Sequence, residues 1–359
     1  MKKLIGIFFV ATLALVNCKN KQTESADSMQ TPVDPKLEFA KLNAFLRKFE
    51  EPSQAFRMPT DKLIKVTGKQ GTIIHIDPAD MEMENGTPVG KDVDIELREL
   101  STKSHLLRSS AQTVADGQLL VSGGAYFINV TSNGEKVKLK EGEKYSVEFV
   151  KLADDEMTLY YGQRDSSDKM NWKQANMKLS TPGPISNSPV EYEAVVVTGQ
   201  GRFSDTARVP MKNINRQEYE KLNKETAIKN KVYNPVDMNK FGWINCDRLF
   251  EPDASRTDIR FAITNKVEDV NYANVYLIFK DIKSVMQASY FIHEDTIEGN
   301  GFDNLPLGMT VRFLAVCYQN EKVLATLTDT MSIKENQNEK LTLQEMNEAD
   351  FDKLMKSVE

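Results

Sequence analysis

The residues able to do chemistry are varied in kind but form few patterns. Three histidines, His75, His105 and His293, stand far apart. His293-Glu294-Asp295 lacks the second histidine, four residues on, that a zinc-binding helix requires. His75 sits in an apolar run, where a hydrogen-bonded core imidazole is the plainer reading. No Gly-x-Ser-x-Gly elbow occurs, and Ser122-Gly123-Gly124 falls between strand patterns rather than at a strand-to-helix turn. Gly199-Gln200-Gly201 has neither the later glycines nor the helix that cradle a phosphate. With 52 acidic residues, neighbouring carboxylates such as Asp154-Asp155 arise by density alone, so an acid and base pair cannot be picked out. The residues thus point to no catalytic group, no cofactor-binding loop and no metal-ligand set.

One stretch stands apart, Phe241-Gly242-Trp243-Ile244-Asn245-Cys246-Asp247-Arg248, which joins one of two tryptophans to an acid and a base. An exposed Trp243 beside Asp247 and Arg248 would suit recognition of a protein or glycan, the ring supplying contact area and the charges direction. The plainer reading buries Trp243 at a domain junction, with Asp247 and Arg248 paired to hold a turn.

Cysteine usage adds an address. Lys2 and Lys3 precede an apolar stretch from Leu4 to Val16, and Cys18 follows directly after Asn17. Thirteen residues at about 1.5 Å each reach about 20 Å, short of the roughly 30 Å of a hydrocarbon core, so the stretch reads as an export signal rather than an anchor. Leu15-Val16-Asn17-Cys18 resembles a lipobox, although Asn17 stands where a small residue is usual; the expectation is cleavage before Cys18 and a lipid on its sulfur and new amino group. Attached acyl chains contribute about 0.8 kcal/mol per buried methylene and hold such a protein to a membrane. Removing residues 1–17 leaves 342 residues and takes the formal charge from -6 to -8. That acidic balance, with no dense basic block, argues against a nucleic-acid partner. In an oxidising compartment Cys246 and Cys317 have the option of pairing, and their spacing decides nothing.

The elements that position these residues are mostly strands. Residues 18–35 are polar and aperiodic, a tether. Phe39, Leu42, Phe45, Leu46 and Phe49 have helical spacing before Pro52, a helix docking on its own domain. Beyond Lys62 the period becomes two: Val93, Ile95 and Leu97 alternate with charged residues, as do Tyr145, Val147 and Phe149. Asn85-Gly86, Asp116-Gly117, Asn133-Gly134 and Glu141-Gly142 supply turns. Asn215 and Glu218 form a capping box for a short helix. Alternation resumes at Ile259, Phe261 and Ile263 and at Val311, Phe313, Ala315 and Cys317, and Phe351, Leu354, Met355 and Val358 stripe a terminal helix. The fold class expected is mainly β, two antiparallel β-sandwiches with short flanking helices. Its divisions are a signal over 1–17, a tether over 18–35, a helix plus sandwich over 36–150, a connecting β-rich region over 151–240, a second sandwich over 241–345 and a helix over 346–359.

Gly71 to Pro78, Asn85 to Gly90 leading into "VDIELREL", "DGQLLVSGGAYFINV", "MTLYYGQRD", "FGWINCDRLF" and "LPLGMTVRFLAVCY", in that order, resemble cell-envelope lipoproteins of the Bacteroidota with a ZU-like β-sandwich module. The resemblance implies a non-enzymatic protein, lipid-anchored in the outer membrane on the surface or periplasmic side. The His-Phe-Ser site at which some ZU domains cut themselves is absent, so self-cleavage is not implied. The competing expectation is an envelope glycan hydrolase, which needs two carboxylates about 5–10 Å apart in a cleft.

Overall fold

Nine strands build the main sheet of the computed structural model, which describes residues 35–165, 168–181, 194–198, 205–209, 231–266, 270–291 and 300–359. Its path runs Gln54–Pro59, Asp92–Leu100, Gln118–Ser132, Gly242–Leu249, Thr158–Arg164 and Met170–Lys178, each antiparallel to the next. A four-stranded sheet, Val236–Met238, Tyr145–Glu148, Ile73–Ile76 and Ile64–Thr67, lies over one face. The alternation in Asp92–Leu100 explains the arrangement: Val93, Ile95 and Leu97 are buried and join Ile74, Ile76, Tyr145 and Val147 in one core. Asp116-Gly117 and Asn133-Gly134 make tight hairpin turns with both residues of each pair at positive φ, near 50° for the first and 80° for the glycine.

The second half repeats the plan with a six-stranded and a three-stranded sheet. Val275, Leu277, Phe313 and Ala315 of the larger sheet pack against Ile259, Phe261, Phe302 and Leu341 of the smaller. One pairing departs from the antiparallel pattern, since Arg256–Ile263 runs parallel to Gln337–Leu341. Strand content is high and helices are short, so the fold is mainly β and sandwich-like as expected.

Two boundaries differ from those read in the sequence. The segment at 241–250 does not open the second sandwich: strand Gly242–Leu249 lies in the middle of the nine-stranded sheet, between Gln118–Ser132 and Thr158–Arg164. Both of its faces are apolar-lined, Ile244 and Cys246 toward the first core and Trp243 and Leu249 toward a smaller one, so only a central position satisfies it. Thr158–Arg164, Met170–Lys178 and Val236–Met238, from the connecting region, also belong to this first half. The N-terminal helix Pro35–Arg47 is the second correction. It packs on the outer face of the six-stranded sheet, not on the N-terminal sandwich. Leu42, Phe45, Leu46 and Phe49 meet Tyr272, Tyr276, Leu314 and Val316 there, beside Phe351 and Met355 of the C-terminal helix Glu348–Lys356. The corresponding outer face of the nine-stranded sheet is already covered by Leu106 of helix Lys103–Arg108 and by Ala111 and Ala115. Cys246 and Cys317 are buried in separate cores and are not joined by a disulfide.

Strand Ala194–Thr198 pairs with Asp205–Val209 as a separate hairpin. The capping box at Asn215 and Glu218, His293 and Gly199-Gln200-Gly201 lie outside the described residues, as does Cys18 with the signal and tether.

Candidate recognition site

Trp243 is half-buried, and the residues around it are not those that adjoin it in sequence. Register places Phe127 opposite both Arg98 and Trp243, which makes a row across three neighbouring strands. The Phe127 and Trp243 rings lie 5.0 Å apart and tilted by 46°. The Arg98 guanidinium sits 5.8 Å over Phe127, and that of Arg164 sits 5.1 Å over Trp243. A cation over an aromatic face contributes about 0.5–2 kcal/mol. The row is thus capped by charge at both ends.

Each arginine is held by groups other than the rings. Arg98 donates from Nε to Ser53 Oγ at 2.7 Å and pairs with Glu50 and Glu96. Arg164 donates to the carbonyls of Ser109 at 2.7 Å, Ser110 at 3.1 Å and Asp168 at 2.8 Å, the first two at the C-terminal end of helix Lys103–Arg108. Gly162 stands opposite Trp172, and a Cβ there would come within 2.7 Å of both Trp172 and Trp243. Glycine is therefore required for the Trp172 ring and the Trp243 Cβ to pack this closely on strand Thr158–Arg164. Trp172 is fully buried and donates its indole N–H to the Gln112 carbonyl at 2.6 Å. The arrangement offers a rigid, partly exposed aromatic pair flanked by two guanidinium groups that are already bonded within the protein.

Asp247 and Arg248 do not form the expected pair. Successive side chains on a strand point to opposite faces, and Arg248 donates from Nε to Asp155 at 3.0 Å while Asp247 points into the interior. Asp247 is fully buried and accepts from the Gly123 N–H at 3.3 Å and from Asn245 Nδ2 at 2.5 Å. Burial pushes its carboxyl well above the usual range, against the hydrogen bonds of Ser122, Asn245 and Gly123 that favour the charged form. Tyr160 on the neighbouring strand is pushed up to about 12 by burial and by the Asp247 charge. His75 is half-buried, its Nε2 3.2 Å from Glu148.

The sequence singled out Trp243 but missed Phe127, Arg98, Arg164 and Gly162. They lie on three strands, and only register brings them beside Trp243 on a fourth. The tilt toward function was visible in Trp243 alone, because tryptophan is scarce in this chain.

A cleft of about 450 Å³ opens in the second half, lined by Arg256, Asp258, Asp303, Asn304, Glu335 and Asn336. Asp303 accepts from Arg260 at 2.6 Å, and Asp258 accepts from Arg260 at 3.4 Å and from the Asn304 N–H at 2.9 Å. Two of its three carboxylates are therefore already engaged. Among the described residues no group of His, Cys, Asp and Glu has the geometry to hold a metal ion, and no helix is long and apolar enough to cross a membrane. A comparison with protein-family models and a comparison with curated proteins found no match to this chain.

Proposed function

We propose that the protein is a lipid-anchored, non-enzymatic cell-envelope protein, tethered through Cys18 and recognising a protein or glycan ligand on the outer face of its first sandwich. The observation that carries this reading is the Phe127 and Trp243 pair held between Arg98 and Arg164. An aromatic surface fixed by neighbours loses little entropy when a ligand stacks on it, which favours recognition. The anchor rests on the Lys2, Lys3, Leu4–Val16 and Cys18 sequence pattern.

The second reading, a glycan hydrolase, draws on Asp258, Asp303 and Glu335 in the cleft. It ranks lower because Asp258 and Asp303 both bond Arg260 rather than projecting free into the opening. Calorimetric titration against a panel of purified bacterial envelope glycans and envelope proteins separates the two. Recognition by the row requires that Phe127→Ala and Trp243→Ala each weaken binding at least about tenfold, the equivalent of 1.4 kcal/mol, while Asp303→Asn leaves it unchanged. Release of reducing ends that Asp303→Asn abolishes would establish the hydrolase instead.

A further inference from the structure

We propose that the connector between the N-terminal helix and the first sheet, residues 47–53, is an ionic clasp that sets how the two sandwiches are oriented. Phe45, Leu46 and Phe49 are buried with the outer face of the six-stranded sheet. Shortly after Phe49 the chain enters strand Gln54–Pro59 of the nine-stranded sheet. The connector therefore crosses from one sandwich to the other, and residues 51–53 do so in neither helix nor strand. Its hold on the first half comes from side chains.

Each charge on the connector meets the opposite sign. Arg47 Nη2 lies 3.4 Å from Asp168, Glu50 pairs with Arg98, and Glu51 faces Arg108 Nη1 at 3.7 Å and His105 Nε2 at 3.6 Å. Ser53 Oγ accepts a further bond from Arg98 Nε at 2.7 Å. Arg108 also reaches Asp352 of helix Glu348–Lys356 at 3.7 Å, so one guanidinium touches the connector and the C-terminal helix from the first half. Complementary charge across a contact fixes register more than it adds affinity. That is the property a clasp needs.

A second line of contact joins the sandwiches elsewhere. The Thr113 N–H donates to the Val285 carbonyl at 2.7 Å, the Gln287 N–H to Gln112 Oε1 at 2.9 Å and the Ser122 N–H to the Lys283 carbonyl at 2.9 Å. These bonds follow Val285–Phe291, the edge strand of the six-stranded sheet, and the residues just before it. A row of bonds along one edge fixes distance and leaves rotation about that edge cheap. The clasp acts through the helices on the outer face of the same sheet, so it opposes the rotation that the edge permits. Leu107 and Ser104 dock there too, Leu107 in the apolar cluster and Ser104 Oγ on the Met355 carbonyl at 2.9 Å. Apolar contact is non-directional, so it holds the helices close while the charges select one orientation.

Burial separates the clasp from an ordinary surface pair. The Arg98 and Glu50 side chains are 20% and 22% exposed, against 52% and 57% for Lys48 and Glu348. Shielded pairs are screened less than exposed ones, whose net contribution is small. The pair of Lys48 with Glu348 is therefore the control.

The test is hydrogen exchange on the full mature chain, following the seam amides of Thr113, Ser122 and Val285 with strands Asp92–Leu100 and Tyr272–Phe279 as references for the two cores. Glu50→Gln combined with Glu51→Gln removes both charges with little change of shape. Protection of the seam amides is expected to fall at least about threefold in this double variant, the scale of such pairs, with both references unchanged and Lys48→Gln behaving as the wild type. Salt gives the same reading without a variant: raising NaCl from about 0.1 M to about 1 M shortens the screening length from about 10 Å to about 3 Å and should loosen the seam relative to the cores. Unchanged seam protection in the folded double variant would overturn the proposal. Equal loosening of seam and cores would do so too, as would a wild-type seam indifferent to salt.

Discussion

Gly162 is the simplest single-residue probe of the aromatic row. In Gly162→Ala the new methyl would meet Trp172 and Trp243 at 2.7 Å, and overpacking of this kind costs about 1–3 kcal/mol. Thermal unfolding should register that loss, and an unchanged melting temperature would contradict the close packing of Trp172 and Trp243 on Gly162. Fluorescence offers an independent check: Trp172 is fully buried and Trp243 half-buried, so acrylamide should quench the wild-type emission in part, and Trp243→Phe should remove the quenchable fraction. The cysteines give a third. Cys246 and Cys317 are buried and not disulfide-bonded, and burial raises the Cys246 thiol well above its ordinary value. A thiol reagent should label neither in the folded protein and both after unfolding; a disulfide would leave both unlabelled in either state.

At the scale of elements, the N-terminal helix is the part most misplaced by sequence reasoning. Its apolar spacing was legible, but spacing says that a face is buried and not against which sheet. Phe45 decides the matter by stacking on Tyr318 at 4.5 Å and approaching Phe351 at 5.4 Å, both from the C-terminal part of the chain. Phe45→Ala should cost about 3–5 kcal/mol and increase hydrogen exchange in strand Thr310–Gln319 before that in Asp92–Leu100. Equal loosening of the two strands would argue that the helix serves both halves. Strand Gly242–Leu249 teaches the same lesson. Its tryptophan beside an acid and a base marked it out, yet nothing local reveals that the chain returns there to the centre of its first sheet. The hairpins were legible where Asp116-Gly117 and Asn133-Gly134 set the turn, because the positive φ values that type requires are written in the residue types. Register across strands that are distant in sequence was not, which is why Phe127 and Arg98 escaped notice.

For the whole molecule, two sandwiches share a polar junction, and the first and last helices lie side by side on the second of them. Lys48 of the N-terminal segment pairs with Glu348 of the C-terminal helix at 2.6 Å. Under the proposed anchoring, a tether joined to the N-terminal helix would load the six-stranded sheet rather than the half that carries the half-buried Phe127 and Trp243. The lipid proposed on Cys18 would then have a mechanical meaning, and the central claim stands or falls with it. The direct measurement is intact mass spectrometry of the protein purified from its native envelope, alongside Cys18→Ala. The account requires a chain that begins at Cys18 and carries the added mass of two or three acyl chains, lost in the variant. A soluble mature chain without that added mass would contradict it.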